Sequence, residues 1–325
     1  MGEYLMFREK RELFEKTKTV RTGRKLTFRG VDGYDVYNCS IPFGWHGGIY
    51  LFGRVEKREE WARSWVYLFR KTGDDLFERV PESMIYTIED PYVAVIRGEL
   101  CMGGTYVVRM RNEVKTYWAN FYRGQDLMNL YYFTTGPDYM KDIRLVDMGE
   151  KGIGVFSRPR DKATEEKYGS LSIVGFTTIR SLDELDDKTV GEAEVIDGMF
   201  ETGEWGGCNQ CYLLDSGYIG IIGHKCYHYD WEDGRKMQAY CNTAFVFDPE
   251  THTLLDEKVI GTRTCYPAGP AKVWNTADCA FTSGIVMRED GKCDLYSGIG
   301  DTEEGVVTID YPFEGYGRIV TKTEL

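Results

Sequence analysis

An acidic pair followed by proline, residues 89–91, stands directly before a predicted strand–turn–strand unit. Residues 93–96 alternate as a strand, residues 97–99 form a turn, and residues 100–108 form the return strand. Proline cannot donate to a sheet ladder, so it is confined to strand starts, bulges and edges. Asp90 is therefore expected where a strand enters a sheet, from which its carboxyl can act in a shared site. The alternative is turn chemistry, because Asp before Pro is a common turn opener.

A basic stretch follows in an otherwise acidic chain. Its cationic side chains are Lys141, Arg144, Arg158 and Arg160. Arginine suits bidentate contacts with phosphate, lysine suits point-charge contacts, and a cleft of one sign attracts a ligand of the other. We therefore expect this stretch to bind phosphate. The alternative is ordinary surface ion pairing, for instance of Lys141 with Asp138 or Asp142.

His224 ends a nearly apolar predicted strand, residues 217–223, so we expect it to be buried or close to an axis. There it could donate to phosphate, the alternative being a satisfied core histidine. Cys208 and Cys211 have zinc-ligand spacing, with His224, Cys226 and His228 downstream. Strand alternation and the frequent burial of reduced cysteine favour structural roles instead, and we expect no metal.

Short alternating runs of apolar and aromatic residues, broken by glycine, aspartate and asparagine, dominate the chain. Helical patterning is confined mainly to residues 3–17. A strand, a turn and a second strand recur five times, and the second strands end near positions 54, 104, 158, 224 and 298, which are 50, 54, 66 and 74 residues apart. Such spacing is typical of four-stranded blades with insertions. We predict an all-β, five-bladed β-propeller over residues 25–325, preceded by a helical extension over residues 1–24.

A propeller brings one part of each blade to a central axis, so residues distant in sequence can meet in one pocket. The polar candidates at the predicted strand edges are Asn38, Arg54, Asp90, Lys141, Asp142, Arg144, Arg158, Arg160, His224, Lys272, Asp278 and Asp301.

Composition excludes several classes of function. The formal charge of −12 argues against nucleic-acid binding and against attraction to acidic membranes, and no apolar run reaches the roughly 18 residues of a membrane span. The charged N-terminus lacks the apolar stretch of a signal peptide, and nine cysteines without an export signal argue against a disulfide framework. We expect a cytoplasmic protein.

Several segments, taken in order, resemble a known group of propeller enzymes. "IEDPYV" resembles the "EDPR" segment of the five-bladed mannoside phosphorylases of glycoside hydrolase family 130, and "LFGRV" resembles the end of their first blade. "GYIGIIGHKCY" and "AFTSGIVMREDGKCDLYSGIGDTEEGV" are similar to their histidine-bearing and closing segments. "TGPDYMKDIRLVDMGEKGIGVFSRPR" resembles glycosyltransferase family 108 more closely, a family of β-1,2-mannosyltransferases and mannan phosphorylases.

The resemblance implies a role for each matched position. Asp90 would be the sole catalytic carboxylate, acting as general acid on the leaving glycosidic oxygen. His224 and the basic stretch would hold phosphate, and Asp301 would hold glycosyl hydroxyls. The remaining sugar-binding candidates are Asn38, Arg54, Glu89, Asp142 and Asp278. The chain departs from the motif at Tyr92, where the hydrolase family has arginine, and Arg144 or Arg158 is the candidate replacement.

The expected function is inverting mannosyl transfer, with reversible phosphorolysis and synthesis of β-1,2-linked mannosides through mannose 1-phosphate. A phosphorylase needs one acid because phosphate is itself the nucleophile, whereas an inverting hydrolase needs a second carboxylate about 6.5–9.5 Å away. A hydrolase that uses Asp142 or Asp278 as base stays open, as does a non-catalytic glycan-binding propeller. We expect a mannose-containing oligosaccharide and phosphate as ligands, mannose 1-phosphate or a sugar nucleotide as donor, no cofactor, and a monomer or a homo-oligomer.

Overall fold

The computed structural model describes residues 6–20, 22–111 and 113–325. Its α-helices are α1 (Phe7–Thr17), α2 (Lys162–Tyr168) and α3 (Asp187–Gly191). Four single 3₁₀ turns span Gly149–Lys151, Leu182–Glu184, Arg263–Cys265 and Trp274–Thr276. Helix α1 confirms the predicted N-terminal helix from Phe7 onward, and residues 3–5 of that predicted helix lie outside the described residues. No helix in the described part of the chain is long and apolar enough to cross a membrane.

The strands form five sheets, which confirms the five-bladed propeller. Strand β1 (Arg24–Lys25) comes first and belongs to the last blade. The first blade contains β2 (Thr27–Arg29), β3 (Asp35–Tyr37), β4 (Phe43–Trp45), β5 (Gly48–Glu56), β6 (Trp65–Gly73) and β7 (Leu76–Arg79). The second contains β8 (Glu89–Ile96), β9 (Glu99–Met110), β10 (Glu113–Gly124) and β11 (Tyr131–Thr135).

The third blade contains β12 (Arg144–Asp147), β13 (Ile153–Ser157), β14 (Gly175–Ile179) and β15 (Glu194–Val195). The fourth contains β16 (Glu204–Leu213), β17 (Ile219–Asp230), β18 (Lys236–Asp248) and β19 (Thr253–Gly261). The fifth contains β20 (Ala280–Met287), β21 (Cys293–Ile299) and β22 (Glu303–Ile309), with β1 paired to β22 as its outer strand.

The two ends of the chain hold the ring together. Residues 24–29 supply β1 to the fifth blade and β2 to the first, where β2 pairs with β7 in parallel. The C-terminal segment pairs Ile319 with Leu214 of the fourth blade and Glu324 with Gly44 of the first. The predicted boundary between residues 24 and 25 falls inside β1, and the division of the chain at that point stays a prediction.

The inner strand of each blade contacts that of the next, from β5 through β8, β12 and β16 to β20. The apolar faces of neighbouring blades pack into hydrophobic clusters, with one cluster between each pair of neighbours. Between the third and fourth blades, for example, Phe247 lies 4.9 Å from Phe176 and 5.9 Å from Phe156, measured between ring centroids. The inner strands are thereby fixed relative to one another, so that side chains at their ends hold defined positions near the axis.

Candidate active site

Two charged clusters are formed by side chains that different blades contribute at or near the ends of their strands and on the segments between blades. The acidic cluster, from the first, second and fifth blades and the segment before the fifth, consists of Asn38, Arg54, Glu56, Glu89, Asp90, Lys272 and Asp301. The basic cluster, from the third and fourth blades and the segment before the third, consists of Lys141, Asp142, Arg144, Arg158, Arg160 and His224. Lys141 acts on both, because its charge opposes the rise that burial causes in the pKa of Glu89 and helps to hold the pKa of Asp142 low. The two clusters therefore form one electrostatic site.

Asp90 is held by one of its two carboxylate oxygens. Asn38 Nδ2 donates to Oδ1 over 2.9 Å, and Arg54 Nη1 donates to the same oxygen over 2.8 Å. No hydrogen bond from a described residue reaches Oδ2. Two donors on one oxygen fix the carboxyl, and Oδ2 is the atom left for a reacting group.

A bulge in β8 directs Asp90 away from the sheet. Glu89 pairs with Thr105 and Tyr92 pairs with Gly103, so two residues on β8 oppose one on β9. Asp90 has a φ of 50°, in the left-handed region that non-glycine residues rarely adopt. Pro91 follows, at a point where no ladder donor is needed. Bulges re-aim side chains and strained residues collect at functional sites, and both features occur at Asp90.

The fifth blade positions Asn38. Asn38 has a φ of 47°, and the next amide, of Cys39, donates to Glu304 Oε2 over 3.1 Å. A Cβ atom on Gly298 would lie 1.8 Å from Asn38 Oδ1, so no larger residue fits at position 298. Asn38 also reaches Asp301 Oδ1 over 3.4 Å and thereby connects the carboxyl groups of two blades.

The acidic cluster carries more carboxyl groups than cations. Four carboxyls surround two cations, and Arg54 contacts three of them: Asp90 over 2.8 Å, Glu56 over 3.2 Å and Glu89 over 3.3 Å. Lys272 is bonded to Glu56. Burial raises the pKa of Glu89 and of Asp301, although Arg54 opposes the shift at both. The cluster therefore favours retaining protons next to Asp90.

Asp142 anchors two arginines of the basic cluster. Arg158 Nη1 lies 2.5 Å from its Oδ2 and Arg144 Nη2 lies 3.4 Å from its Oδ1. Burial would raise the pKa of Asp142, but Arg158, Lys141 and Arg144 hold it well below its usual value. Arg144 also donates to the carbonyl of Asn209 over 2.8 Å and stands 4.4 Å above the ring of Tyr92. Thus the tyrosine found where the hydrolase motif has arginine supports a neighbouring arginine.

His224 is buried beside Arg158. Its Nδ1 pairs with Asn209 Oδ1 over 2.7 Å, and its Nε2 lies 3.4 Å from Arg158 Nη2. Burial and the charge of Arg158 lower the pKa of His224 well below its usual value, so the imidazole is neutral. Arg158 fits here because position 207 is glycine, where a Cβ atom would lie 2.8 Å from Arg158 Cδ and Nε.

Two cations of the basic cluster form no ion pair with any described carboxylate. Arg160 lies 5.5 Å from the ring centroid of Tyr117, and its buried Nε has no hydrogen-bond partner. Burial and Arg158 lower the pKa of Arg160. Lys141 is half-buried, and its amine bonds to no described side chain. Four cations against the single carboxylate of Asp142 leave the cluster with an excess of positive charge.

The structure brings together all but one of the predicted site residues. Asp278 lies apart, because its carboxylate binds Arg11 of α1 over 2.6 Å and the hydroxyl of Tyr229 over 2.9 Å. Cys208 and Cys211 are both buried in the core between the third and fourth blades. No group of three or more potential metal ligands occurs among the described residues. The binding and catalytic roles assigned from the sequence, including the one at Asp278, stay predictions.

Sequence reasoning missed three residues that complete the clusters. Glu56 follows Arg54 by two positions, so alternation along a strand could have placed both on one face. Asn209 lies at a bulge of β16, where the ladder shifts between Cys208 and Gln210. Glu304 is buried under Asn38 without any local motif, and only the closure of the ring brings it there.

The comparisons with known proteins agree with this architecture. A family model described as "Protein of unknown function (DUF1861)" matches residues 12–315. A mannose phosphorylase from Leishmania mexicana, solved with phosphate ion, is 46% identical with a TM-score of 0.92, over 98% of this chain and 96% of that one. A GDP-Man-dependent mannosyltransferase from the same organism is 45% identical with a TM-score of 0.91, over 98% and 99%.

A β-1,2-mannobiose phosphorylase from Listeria innocua is 17% identical with a TM-score of 0.58, over 86% of this chain and 91% of that one, which shows a shared fold. The search of curated proteins gives no match. The family model spans most of the chain and the Leishmania relatives span nearly all of it. The chain therefore belongs to the DUF1861 family, and it is one of the five-bladed propellers of glycosyltransferase family 108, which are related to glycoside hydrolase family 130.

Proposed function

We propose that this protein transfers a mannosyl group with inversion, and that its reversible reaction is phosphorolysis and synthesis of β-1,2-linked mannosides through mannose 1-phosphate. One observation carries the proposal. Asp90 has its Oδ2 free in the acidic cluster, and Lys141 of the basic cluster, which carries an excess of positive charge, acts electrostatically on the neighbouring Glu89. These are the functional groups that a phosphorylase needs: an acid that protonates the leaving group and cations that bind an anionic nucleophile.

The proposed reaction divides between the two clusters. Asp90 gives its proton to the glycosidic oxygen as the bond from that oxygen to C1 breaks. A phosphate oxygen, held by the basic cluster, forms the new bond to C1 from the opposite face of the ring, so β-mannoside becomes α-mannose 1-phosphate. The direct displacement needs no covalent enzyme intermediate. General-acid assistance of this kind contributes about 10²–10⁴-fold to the rate.

The hydrogen-bond and ion-pair partners of the basic side chains indicate which of them hold the phosphate. Arg144 and Arg158 are tied to Asp142 and to the carbonyls of Asn209 and Gly206. Arg144 and Arg158 contribute positive electrostatic potential and hold the neighbouring strands in place. The charges of Lys141 and Arg160, in contrast, are not paired with a described carboxylate. We assign Lys141 and Arg160 as the side chains that neutralise phosphate. Charge-assisted contacts of this type are about twice as strong as neutral ones.

The relatives support mannosyl chemistry and leave two donors to be tested. The Leishmania mannose phosphorylase and the GDP-Man-dependent mannosyltransferase are nearly equally similar to this chain. The β-1,2 linkage is supported by the matched sequence motifs. The hydrolase alternative needs a second carboxylate as base; of its two candidates, Asp278 lies outside both clusters and Asp142 has an arginine on each of its two oxygens.

The test compares donors under identical conditions. The purified protein is incubated with mannose as acceptor and either mannose 1-phosphate or GDP-mannose as donor, and released phosphate or GDP is measured together with the linkage of the product. We expect phosphate release with mannose 1-phosphate and a β-1,2-linked product. GDP release alone would overturn the phosphorylase assignment in favour of a nucleotide-dependent transferase. No transfer from either donor would overturn mannosyl transfer itself.

A further inference from the structure

Asn209 binds two members of the basic cluster, one through its main chain and one through its side chain. Its carbonyl accepts a hydrogen bond from Arg144 Nε over 2.8 Å, and its Oδ1 lies 2.7 Å from His224 Nδ1. Asn209 is buried, so water does not compete for either contact. The proposed reaction gives this residue no role.

A bulge in β16 explains how one residue makes both contacts. The ladder between β16 and β17 shifts between Cys208 and Gln210, so Asn209 is left without a ladder partner on β17. The extra residue of a bulge is unpaired, and the bulge re-aims its side chain. Here the side chain turns to His224 of the neighbouring strand, while the carbonyl serves Arg144 of the third blade.

Arg158 determines which nitrogen of His224 carries the hydrogen. Its Nη2 lies 3.4 Å from His224 Nε2, and a guanidinium nitrogen is a donor without a lone pair to offer. The ring nitrogen that faces it must therefore present a lone pair. A neutral imidazole then carries its hydrogen on Nδ1, where Asn209 Oδ1 accepts it. The contacts at the two ring nitrogens thus require the same tautomer.

The surroundings of His224 keep its ring in this orientation and uncharged. Tyr240 stacks on the ring with centroids 5.9 Å apart and an interplanar angle of 16°, and the ring of Phe281 lies 4.9 Å away. Burial lowers the pKa of His224 well below its usual value. The charged groups around it act on this pKa with different signs: Arg158, Lys141 and Arg144 lower it, and Asp142 raises it.

We propose that Asn209 is a positioning residue that fixes the hydrogen of His224 on Nδ1, so that Nε2 accepts from Arg158 and orients this guanidinium in the basic cluster. Because its carbonyl also binds Arg144, the same residue orients both arginines that are paired with Asp142. His224 then acts as an acceptor toward Arg158, which differs from the donor to phosphate expected from the sequence. The consequence for phosphate binding rests on the proposed function, whereas the tautomer does not.

The tautomer can be measured without turnover, by ¹H–¹⁵N NMR of the imidazole nitrogens at pH 7.5. The chain has four histidines, and His224→Gln identifies the signals of His224. We expect a hydrogen on Nδ1 and none on Nε2 in the wild type, and a population with the hydrogen on Nε2 in Asn209→Ala. A hydrogen on Nε2 in the wild type, or a tautomer that Asn209→Ala leaves unchanged, would overturn the proposal.

Asn242→Ala is the matched control for the loss of a buried amide beside His224. Asn242 is buried and stands opposite His224 in the ladder between β17 and β18. Its side chain donates to the fifth blade, at Ala280, Thr282 and Ser297. This variant should keep the wild-type tautomer, and the same tautomer change in both variants would show general loosening of the core and overturn the specific role of Asn209.

Kinetics with β-1,2-mannobiose and phosphate measure the effect on the site. Asn209→Ala keeps the carbonyl that binds Arg144 and removes the acceptor at Nδ1, so we expect the KM for phosphate to rise roughly tenfold and the KM for the sugar far less. Asn242→Ala should change neither KM selectively. If the wild type has the expected tautomer but shows no phosphate-dependent cleavage, the tautomer assignment holds and the proposed function fails. If cleavage depends on phosphate but Asn209→Ala leaves the KM for phosphate unchanged, the positioning role fails alone.

Discussion

Replacing Arg54 by methionine tests the balance of charge in the acidic cluster. Arg54 is buried and donates to Asp90, Ser64 and Glu56, with Glu89 3.3 Å away. The Arg54→Met substitution keeps much of the side-chain volume and leaves four carboxyls with only Lys272, which is already bonded to Glu56. Breaking a buried ion pair by removing one partner costs about 3–5 kcal/mol. We expect a loss of unfolding free energy in that range at pH 7.5.

The loss of unfolding free energy in Arg54→Met should become smaller as the pH falls. Burial already raises the pKa of Glu89 and of Asp301, and removing Arg54 raises both further. A carboxyl whose pKa is raised in the folded state stabilises the protein below its unfolded pKa, near 4, and loses that contribution as pH rises through the folded pKa. The deficit of Arg54→Met should therefore shrink as the pH falls from 7.5 to 5.5, because each carboxyl whose pKa the substitution raises contributes up to about 1.4 kcal/mol per pH unit over the range of its shift.

Urea unfolding of the wild type and the variant at both pH values measures these differences. The matched control is Arg58→Met, since Arg58 is 39% exposed and pairs with Asp35 at the edge of the same blade. An exposed pair of this kind contributes at most about 1 kcal/mol. The charge balance described for the acidic cluster is wrong if Arg54→Met lowers the free energy of unfolding by no more than Arg58→Met does. It is also wrong if the deficit of Arg54→Met in unfolding free energy grows on acidification.

Four further outcomes follow from the site. Asp90→Asn should lower turnover by about 10²–10⁴-fold while the unfolding midpoint stays within a few degrees, and near-wild-type turnover would contradict its role as the acid. Lys141→Ala and Arg160→Ala should each raise the KM for phosphate by about one to two decades and the KM for the sugar far less, whereas Arg288→Ala should change neither. Burial raises the pKa of Glu304 to about 8, so Glu304→Gln should remove part of the stability loss that the wild type shows from about pH 4.5 to 8; an unchanged pH profile would refute this. Activity should persist in a metal chelator, and its loss with recovery on adding one metal would refute the absence of a cofactor.

The propeller could be predicted because the same strand–turn–strand pattern occurs five times in the sequence. A strand, a connection and a returning strand recur in every blade, and in the second blade the connection is the two-residue turn Arg97-Gly98, where both φ values are positive. Five such units at similar spacing admit few other folds. The entry of Asp90 into a sheet could be predicted as well, because Pro91 restricts where the strand can pair.

The ion-pair partners of the charged side chains could not be predicted, because these pairs form between residues of different blades. Arg144 and Arg158 look equivalent to Arg160 in sequence, yet the first two are tied to Asp142 and the third is not. Asp278 precedes β20 just as Asp142 precedes β12, but α1 packs against the fourth blade and its Arg11 takes that carboxylate. Local spacing places a residue at the end of a strand, and only the assembled ring decides its partner.

In the proposed reaction, phosphate is the nucleophile at the basic cluster and Asp90 protonates the leaving oxygen. The most direct measurement follows cleavage of β-1,2-mannobiose by ¹H and ³¹P NMR with and without inorganic phosphate. We predict no cleavage without phosphate and, with phosphate, α-mannose 1-phosphate and mannose in equal amounts from the first turnovers. Release of two mannose molecules at the same rate without phosphate would contradict the account, and a β-configured sugar phosphate would contradict the single displacement.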